Sequence, residues 1–143
     1  MTEYGEGMVM KFYRAERFFY THKMRIIAKV IYYLIQLLFS CVIPPSVSIG
    51  KGTCIAHGVG IVIHHEAIIG ENTIIYQNVT MGNPGIIVGN GCLLGAGAVL
   101  LGPCKIGDNV KIGANTVVNY DVPNNCTAVG MKSKIIIRES LAK

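Results

Sequence analysis

Three of the four histidines of this chain lie within nine residues, in the segment HGVGIVIHH at positions 57–65. A neutral imidazole can take a proton from a hydroxyl group near neutral pH, and a well-placed one accelerates a reaction by about 10²–10⁴. His57 stands between Ala56 and Gly58, so its sequence neighbours leave the ring uncrowded. We take His57 as the candidate general base; a corner histidine bonded to a backbone carbonyl is the alternative.

A metal site is the competing interpretation, because imidazole is a common ligand for zinc and similar ions. His64 and His65 are adjacent in the chain. Adjacent side chains of a strand point to opposite sides, so these two cannot readily share one ion. The five cysteines include no C-x-x-C pair and no zinc-ligand spacing. We therefore expect no metal, and buried, reduced thiols in a cytoplasmic protein.

A period of six residues runs through the chain and has to position these histidines. Aliphatic residues recur at this spacing, and a small or β-branched residue follows each of them four positions later. The aliphatic set is Ile43, Ile49, Ile55, Ile61, Ile63, Ile69, Ile75, Val88, Leu94, Leu100, Ile106, Ile112 and Val118; the second set includes Thr53, Val59, Ala67, Thr73, Val79, Cys92, Ala98, Cys104, Val110, Thr116 and Val122. A unit this short suits a brief strand and a corner, and it makes the two cysteines of the second set packing residues.

Three such units form a triangular coil of 18 residues, and successive coils stack as parallel strands about 4.8 Å apart. Residues 43–118 then make about four coils. The period therefore predicts a mainly β fold, a parallel β-helix of hexapeptide repeats that follows N-terminal α-helices. The expected division is a helical segment at 1–40, the β-helix at 41–130 and a tail at 131–143.

The repeat also predicts which outward-facing residues are neighbours. His57 and Gln77 each stand two residues after an inward-pointing isoleucine, so we expect them side by side in adjacent coils. Ala96 and Ala114 share the same offset and are expected on another face. Stacked small residues leave a shallow groove with accessible backbone amides, and such a groove suits a long, thin ligand.

The segment before the repeats is expected to form two helices over residues 8–39, with a break near residue 21, and the Pro-Pro pair at 44–45 ends them. Basic and apolar residues interleave there. Contact with a membrane surface is one interpretation; helices that cap the open end of the β-helix or meet in an oligomer are the other. The apolar run at 26–39 is shorter than the roughly 20 residues of a bilayer span, and the N-terminus does not resemble a signal peptide.

The composition fits one globular domain that buries surface between subunits. The chain has 143 residues, 51% of them hydrophobic and only 15% charged. With so few charged residues, a monomer would expose apolar surface and have low solubility. We therefore expect an oligomer that buries this surface between subunits. The net charge of +5 suits an anionic ligand, a nucleic acid or an acidic membrane surface without choosing among them.

The segments IGKGTCIAHGVGIVI, YQNVTMG, LLGAGAVLLG and VKIGANTVV resemble the hexapeptide-repeat acyltransferases, and within them the serine acetyltransferase-like branch. The leading YYLIQLLFSCVIPPSVSIGKG is similar to short members encoded among surface-polysaccharide genes. The resemblance implies a left-handed β-helix, a homotrimer with active sites between subunits, and acetyl-coenzyme A as the acetyl donor.

The resemblance also implies roles for individual residues. His57 falls on the catalytic histidine of the family, and His64 is a second candidate that would orient the acceptor. Gln77, expected beside His57, is assigned to substrate binding. The residues expected to bind the coenzyme are Gly82, Ala96, Lys111, Ala114 and Lys134.

Two departures from the family pattern bear on the acceptor. Serine acetyltransferases place an aspartate directly before the catalytic histidine and another near the start of the first coil; Ala56 and Val42 stand there in this chain. The expected function is therefore an acetyl-CoA-dependent O-acetyltransferase acting on a sugar hydroxyl of a surface polysaccharide, without a nucleic-acid partner. A serine O-acetyltransferase is the first alternative, and a catalytically inactive trimeric scaffold is the second.

Overall fold

The computed structural model describes residues 7–130, in which two helices precede a three-sided coil of short strands. Helix α1 spans Gly7–Thr21 and helix α2 spans Arg25–Phe39. Ser40 caps the C-terminal end of α2. It adopts a left-handed conformation with φ 52° and donates its N–H to the Gln36 carbonyl. Neither helix of the described part combines the length and the apolarity needed to cross a membrane.

The strands that follow have two or three residues each and pair in parallel to form three sheets. In chain order they are β1 (Ser48–Ile49), β2 (Cys54–Ile55), β3 (Val62–Ile63), β4 (Ile68–Ile69), β5 (Ile74–Ile75), β6 (Thr80–Met81), β7 (Ile86–Val88), β8 (Leu93–Leu94), β9 (Val99–Leu100), β10 (Cys104–Ile106), β11 (Lys111–Ile112), β12 (Val117–Val118) and β13 (Thr127–Ala128). The first sheet has the order β1-β4-β7-β10, the second β2-β5-β8-β11-β13, and the third β3-β6-β9-β12. Consecutive strands thus lie on different faces, as a triangular coil requires.

The expected aliphatic positions point into the coil and form its core. All thirteen are buried, and Met81 completes the third column between Ile63 and Leu100. Cys92 and Cys104 are 1% exposed, which confirms their packing role. The predicted fold, a left-handed parallel β-helix that follows two helices, is confirmed. The domain boundaries at residues 40 and 130 stay a prediction.

The coils differ in length, which the strict period did not predict. Along the second sheet, Cys54 pairs with Ile74, Ile74 with Leu93, and Leu93 with Lys111, so the steps are 20, 19 and 18 residues. The step of 19 arises because the unit between Met81 and Val88 has one extra residue. The step of 20 arises from two extra residues in the first coil.

These two extra residues are His57 and Gly58. Ala56 occupies the same position in the first coil as Tyr76 in the second, because Ala56 N donates to Ile75 O and Tyr76 N donates to Leu94 O. After the insertion, Asn78 N donates to Val59 O. Val59 therefore takes the place in the first coil that Gln77 takes in the second. The expected pairing of His57 with Gln77 is wrong, because the insertion follows Ala56.

The same insertion changes the packing around it. Ile61 lies level with Val79 of the next coil and takes the buried position that the period assigns to Val59. Val59 itself is 57% exposed. Val59, a member of the predicted second set, therefore lies outside the core.

Helix α1 caps the open end of the coil. The Tyr13 hydroxyl donates to Val47 O at 2.6 Å, and the Arg14 guanidinium donates to Ile49 O and Gly50 O at 2.6 Å each. Arg17 donates to further carbonyls of the same turn. Side chains of α1 thus bond backbone acceptors on the first coil, where the strand edge would otherwise stay open.

Candidate active site

His57 projects from the coil on a strained turn. Its φ is 53° and its side chain is exposed. Val59 N–H donates to His57 O at 2.6 Å, which closes the turn around Gly58. A left-handed conformation costs a non-glycine residue about 1–3 kcal/mol, and residues held this way cluster at functional sites. The insertion therefore holds His57 in a conformation that most non-glycine residues avoid.

The beginning of helix α1 supports this loop. Gly58 lies against the side chain of Val9, which is 3% exposed, and a Cβ at Gly7 would lie 2.9 Å from Ile55 O. Backbone and side chains on both sides of His57 are thus in contact with α1. The helix fixes the position of the loop that carries the imidazole.

The surroundings of the His57 ring are aromatic and open. Its ring centroid lies 6.4 Å from that of Tyr76 in the next coil. Ala56, directly before it, is buried and has no carboxylate to offer. Within residues 7–130 no ion pair involves His57. The backbone turn, rather than a carboxylate of this part of the chain, sets the orientation of the imidazole.

Gln77, Ala96 and Ala114 form one stack along the corner that follows the second sheet. Gly97 N donates to Gln77 O, and Asn115 N donates to Ala96 O, which places one residue of the stack in each coil. The expectation that the two alanines lie on another face than Gln77 is wrong, because the seven-residue unit after Met81 restores the register. The side-chain Oε1 of Gln77 is buried and has no hydrogen-bond partner in the described part of the chain.

The corner that carries Ala96 and Ala114 has free backbone donors. Ala96 is half-buried and Ala114 is exposed. Their N–H groups donate to no backbone acceptor within residues 7–130. Lys111 stands exposed on β11, three residues before Ala114. Amide donors along this corner and a cation beside it suit an extended ligand that carries both amide and phosphate groups.

His64 and Gly82 lie at a different corner, the one that follows the third sheet. His64 N donates to Met81 O, so the two residues are neighbours in adjacent coils. His64 Nδ1 accepts the Glu66 N–H at 3.3 Å, which leaves the proton of the neutral ring on Nε2. Strand β3 separates this corner from His57 along the chain. The structure thus divides the expected site residues between two corners.

Lys134 lies outside the described residues. Among those described, no group of three histidine, cysteine or acidic residues could hold a metal ion. Sequence reasoning missed two residues near the His57 loop, Tyr76 and Val9. The sequence gives one indication of an unusual loop here: eight residues, instead of six, separate Ile55 from Ile63.

Two family models match the repeats. Residues 85–120 match a model described as bacterial transferase hexapeptide (six repeats), and residues 66–102 match one described as hexapeptide repeat of succinyl-transferase. These ranges cover strands of all three sheets.

Curated relatives extend the similarity to most of the chain. A serine acetyltransferase of Helicobacter pylori strain 26695 is 38% identical over 134 residues, which cover 89% of this chain and 78% of the relative. A serine acetyltransferase of Synechococcus elongatus is 38% identical over 136 residues, which cover 90% of this chain and 56% of the relative. The chain thus spans between about half and four fifths of the length of these relatives.

Solved structures agree with the relatives. A structure of soybean serine acetyltransferase complexed with serine superposes with a TM-score of 0.80 at 35% identity, covering 90% of this chain and 56% of that one. A serine acetyltransferase in complex with CoA gives a TM-score of 0.80 at 32% identity, covering 90% and 55%.

These comparisons correct the expected acceptor. The relatives are named serine acetyltransferases, so the prediction of a polysaccharide O-acetyltransferase is wrong and its serine alternative is better supported. The expected family is confirmed, since a relative well above 30% identity is covered over most of its length. The chain therefore belongs to the hexapeptide-repeat acyltransferases, in the branch that contains the serine acetyltransferases.

Proposed function

We propose that this chain transfers the acetyl group of acetyl-CoA to the hydroxyl of L-serine. The observation that carries the proposal is the exposed His57 on its strained turn, in a chain that is 38% identical to a serine acetyltransferase over 134 residues. A solvent-facing imidazole without an ion-pair partner in the described part is free to exchange a proton with a bound hydroxyl.

His57 acts as the general base in this scheme. Its Nε2 takes the proton of the serine hydroxyl while the hydroxyl oxygen bonds to the thioester carbonyl carbon. The carbon–sulfur bond then breaks, and the same proton passes from His57 to the leaving sulfur, which yields O-acetylserine and the free thiol of coenzyme A. Backbone N–H groups stabilise the oxyanion. Transfer is direct, because residues 7–130 place no serine, threonine or cysteine in contact with the His57 ring.

The groove of Ala96 and Ala114 binds the coenzyme. Its N–H groups, which are unused within residues 7–130, bond the amides of an extended donor, and Lys111 offsets phosphate charge. Gln77, one coil before Ala96, keeps its predicted place in substrate binding. Gly82 and Lys134 keep their predicted place in coenzyme binding.

A homotrimer completes the site. His57 and the groove occupy the corner after the second sheet, whereas His64 and Gly82 occupy the corner after the third. A neighbouring copy would bring its His64 corner beside the His57 corner, so that each active site lies between two subunits. This arrangement accounts for the division of the site residues. We place the enzyme in the cytoplasm, in keeping with its reduced cysteines; contact of the helices with a membrane surface stays a prediction.

An assay of acceptors tests the proposal. Purified chain is incubated with acetyl-CoA and L-serine, L-threonine or no acceptor, and thiol release is followed while mass spectrometry identifies the product. We expect O-acetylserine and a rate with L-serine well above that with L-threonine. Thiol release no faster than in a blank without the protein, together with no acetylated product, would instead identify the chain as a catalytically inactive scaffold.

A further inference from the structure

A cavity of about 340 Å³ lies between the two helices and the turn that leads into the first coil. Its lining combines three tyrosines, two cations and a proline: Tyr20, Tyr32, Tyr33, Arg25, Lys29 and Pro45. Ala28, which is 1% exposed, also borders it. The volume falls within the range of about 300–1,000 Å³ found for small-molecule sites.

The cavity carries positive charge and no negative charge on its lining. Arg25 and Lys29 are exposed cations, and neither is in an ion pair within the described residues. Lys29 Nζ lies 5.9 Å from the ring centroid of Tyr33. Arg25 is the first residue of α2, and the unpaired N–H groups at this end of the helix add partial positive charge. Met24, at the start of this helix, provides no side-chain cap.

The acidic group behind the cavity does not cancel this charge near neutral pH. Glu16 of helix α1 is fully buried, and both its carboxylate oxygens lack a partner in the described part. Burial raises the pKa of Glu16 to about 8. Glu16 interacts electrostatically with Tyr32, which lines the cavity, but its carboxyl group is mostly protonated at pH 7.

We propose that this cavity binds a small planar anion, an aromatic or heteroaromatic ring that carries a phosphate or carboxylate group. The two cations bind the anionic group, and the tyrosine rings pack against its flat body. Phenol hydroxyls add directional donors at the rim. No residue of this lining belongs to the acyl-transfer corner, so the site is distinct from the one proposed for catalysis.

Titration with phenyl phosphate tests the proposal. Calorimetry and the NMR signals of the tyrosine rings measure the binding. Inorganic phosphate and phenol serve as the two half-ligands. We expect saturable binding of phenyl phosphate, weaker binding of either half, and shifts of the tyrosine signals. The double variant Arg25→Gln/Lys29→Gln should weaken binding about tenfold or more, because charge-assisted hydrogen bonds are lost.

The control is Lys51→Gln/Lys105→Gln, which removes the same charge from exposed positions on the β-helix. Its affinity for phenyl phosphate should match that of the unmodified chain. Equal loss in both double variants would show that only net charge matters, and would overturn the proposal. So would absence of saturable binding, or binding to vesicles of phosphatidylglycerol without binding to phenyl phosphate.

Discussion

Gly58 and Val9 are in such close contact that a Cβ on Gly58 would overlap Val9 Cγ2. Val9 is buried at the start of helix α1, and its β-branched side chain has little freedom to turn away. Gly58 directly follows His57 in the two-residue insertion. The contact therefore ties the position of the candidate general base to the helix that caps the coil.

Substitution of Gly58 by alanine should displace the His57 turn. The new methyl group forces the loop away from α1, and a misplacement near 1 Å can cost about a hundredfold in rate. We expect kcat for acetyl transfer to fall by about tenfold or more while the chain stays folded. Steady-state kinetics and circular dichroism provide the two readouts.

Truncation of Val9 should restore part of this loss. Val9→Ala removes the methyl groups that the new Cβ meets, so Gly58→Ala/Val9→Ala should be more active than Gly58→Ala alone. A double variant no more active than the single one would show that the contact does not position the turn.

Loss of the Arg14 guanidinium should open the capped end of the coil. Arg14 bonds Ile49 O and Gly50 O at 2.6 Å each, and hydrogen bonds to charged groups contribute about 1.5–3 kcal/mol. Arg14→Ala should therefore lower the free energy of unfolding by about 2 kcal/mol in urea titrations. Lys11→Ala, an exposed position of the same helix, should change it little. Equal effects of the two variants would argue against the cap.

Glu16 should make stability depend on pH. Burial raises its pKa from the ordinary 4.5 to about 8, so the folded chain keeps a proton that the unfolded chain releases between these values. Stability must then fall as pH rises through this window, at up to about 1.4 kcal/mol per pH unit, and level off above the folded pKa. Glu16→Gln cannot ionise and should flatten the slope.

Urea titrations of both proteins at equal concentration, at several pH values within that window, measure this difference. If the two chains show the same dependence on pH, the Glu16 carboxyl group is not the group that loses its proton.

Lys111 should matter for the coenzyme alone. Lys111→Gln removes a cation beside the groove of Ala96 and Ala114, so we expect KM for acetyl-CoA to rise by about threefold to tenfold, with kcat and KM for serine little changed. Lys105→Gln removes an equally exposed lysine from the first sheet and should leave all three constants unchanged. An equal rise in both variants would assign the effect to net charge.

The repeat predicted the core because every aliphatic residue of the period has the same task, to point inward. It could not predict the outward neighbours, since an insertion of one or two residues shifts all later positions. The period therefore predicts Gln77 beside His57, although Val59 holds that place. The bonds from Tyr13 and Arg14 to the first coil join residues more than thirty positions apart, and no periodicity indicates such contacts.

The predicted acceptor, a sugar hydroxyl, is wrong because it depends on too few residues. The prediction of a sugar acceptor depends on only two side chains, Ala56 and Val42, whereas the relatives are similar over most of the chain. The burial of Glu16 could not be predicted from the sequence either. Helix α1 carries charged residues of both signs, and the sequence alone does not show which of them is buried.

The account depends on the imidazole of His57, and the turnover of the His57→Asn variant measures that directly. Asparagine tolerates the left-handed turn at φ 53°, so the loop should keep its shape while the base is lost. With L-serine and acetyl-CoA saturating, we expect kcat to fall by about 10²–10⁴, while His22→Asn, an exposed histidine of the helix turn, keeps full activity. A His57→Asn chain that acetylates L-serine at the unmodified rate would contradict the account.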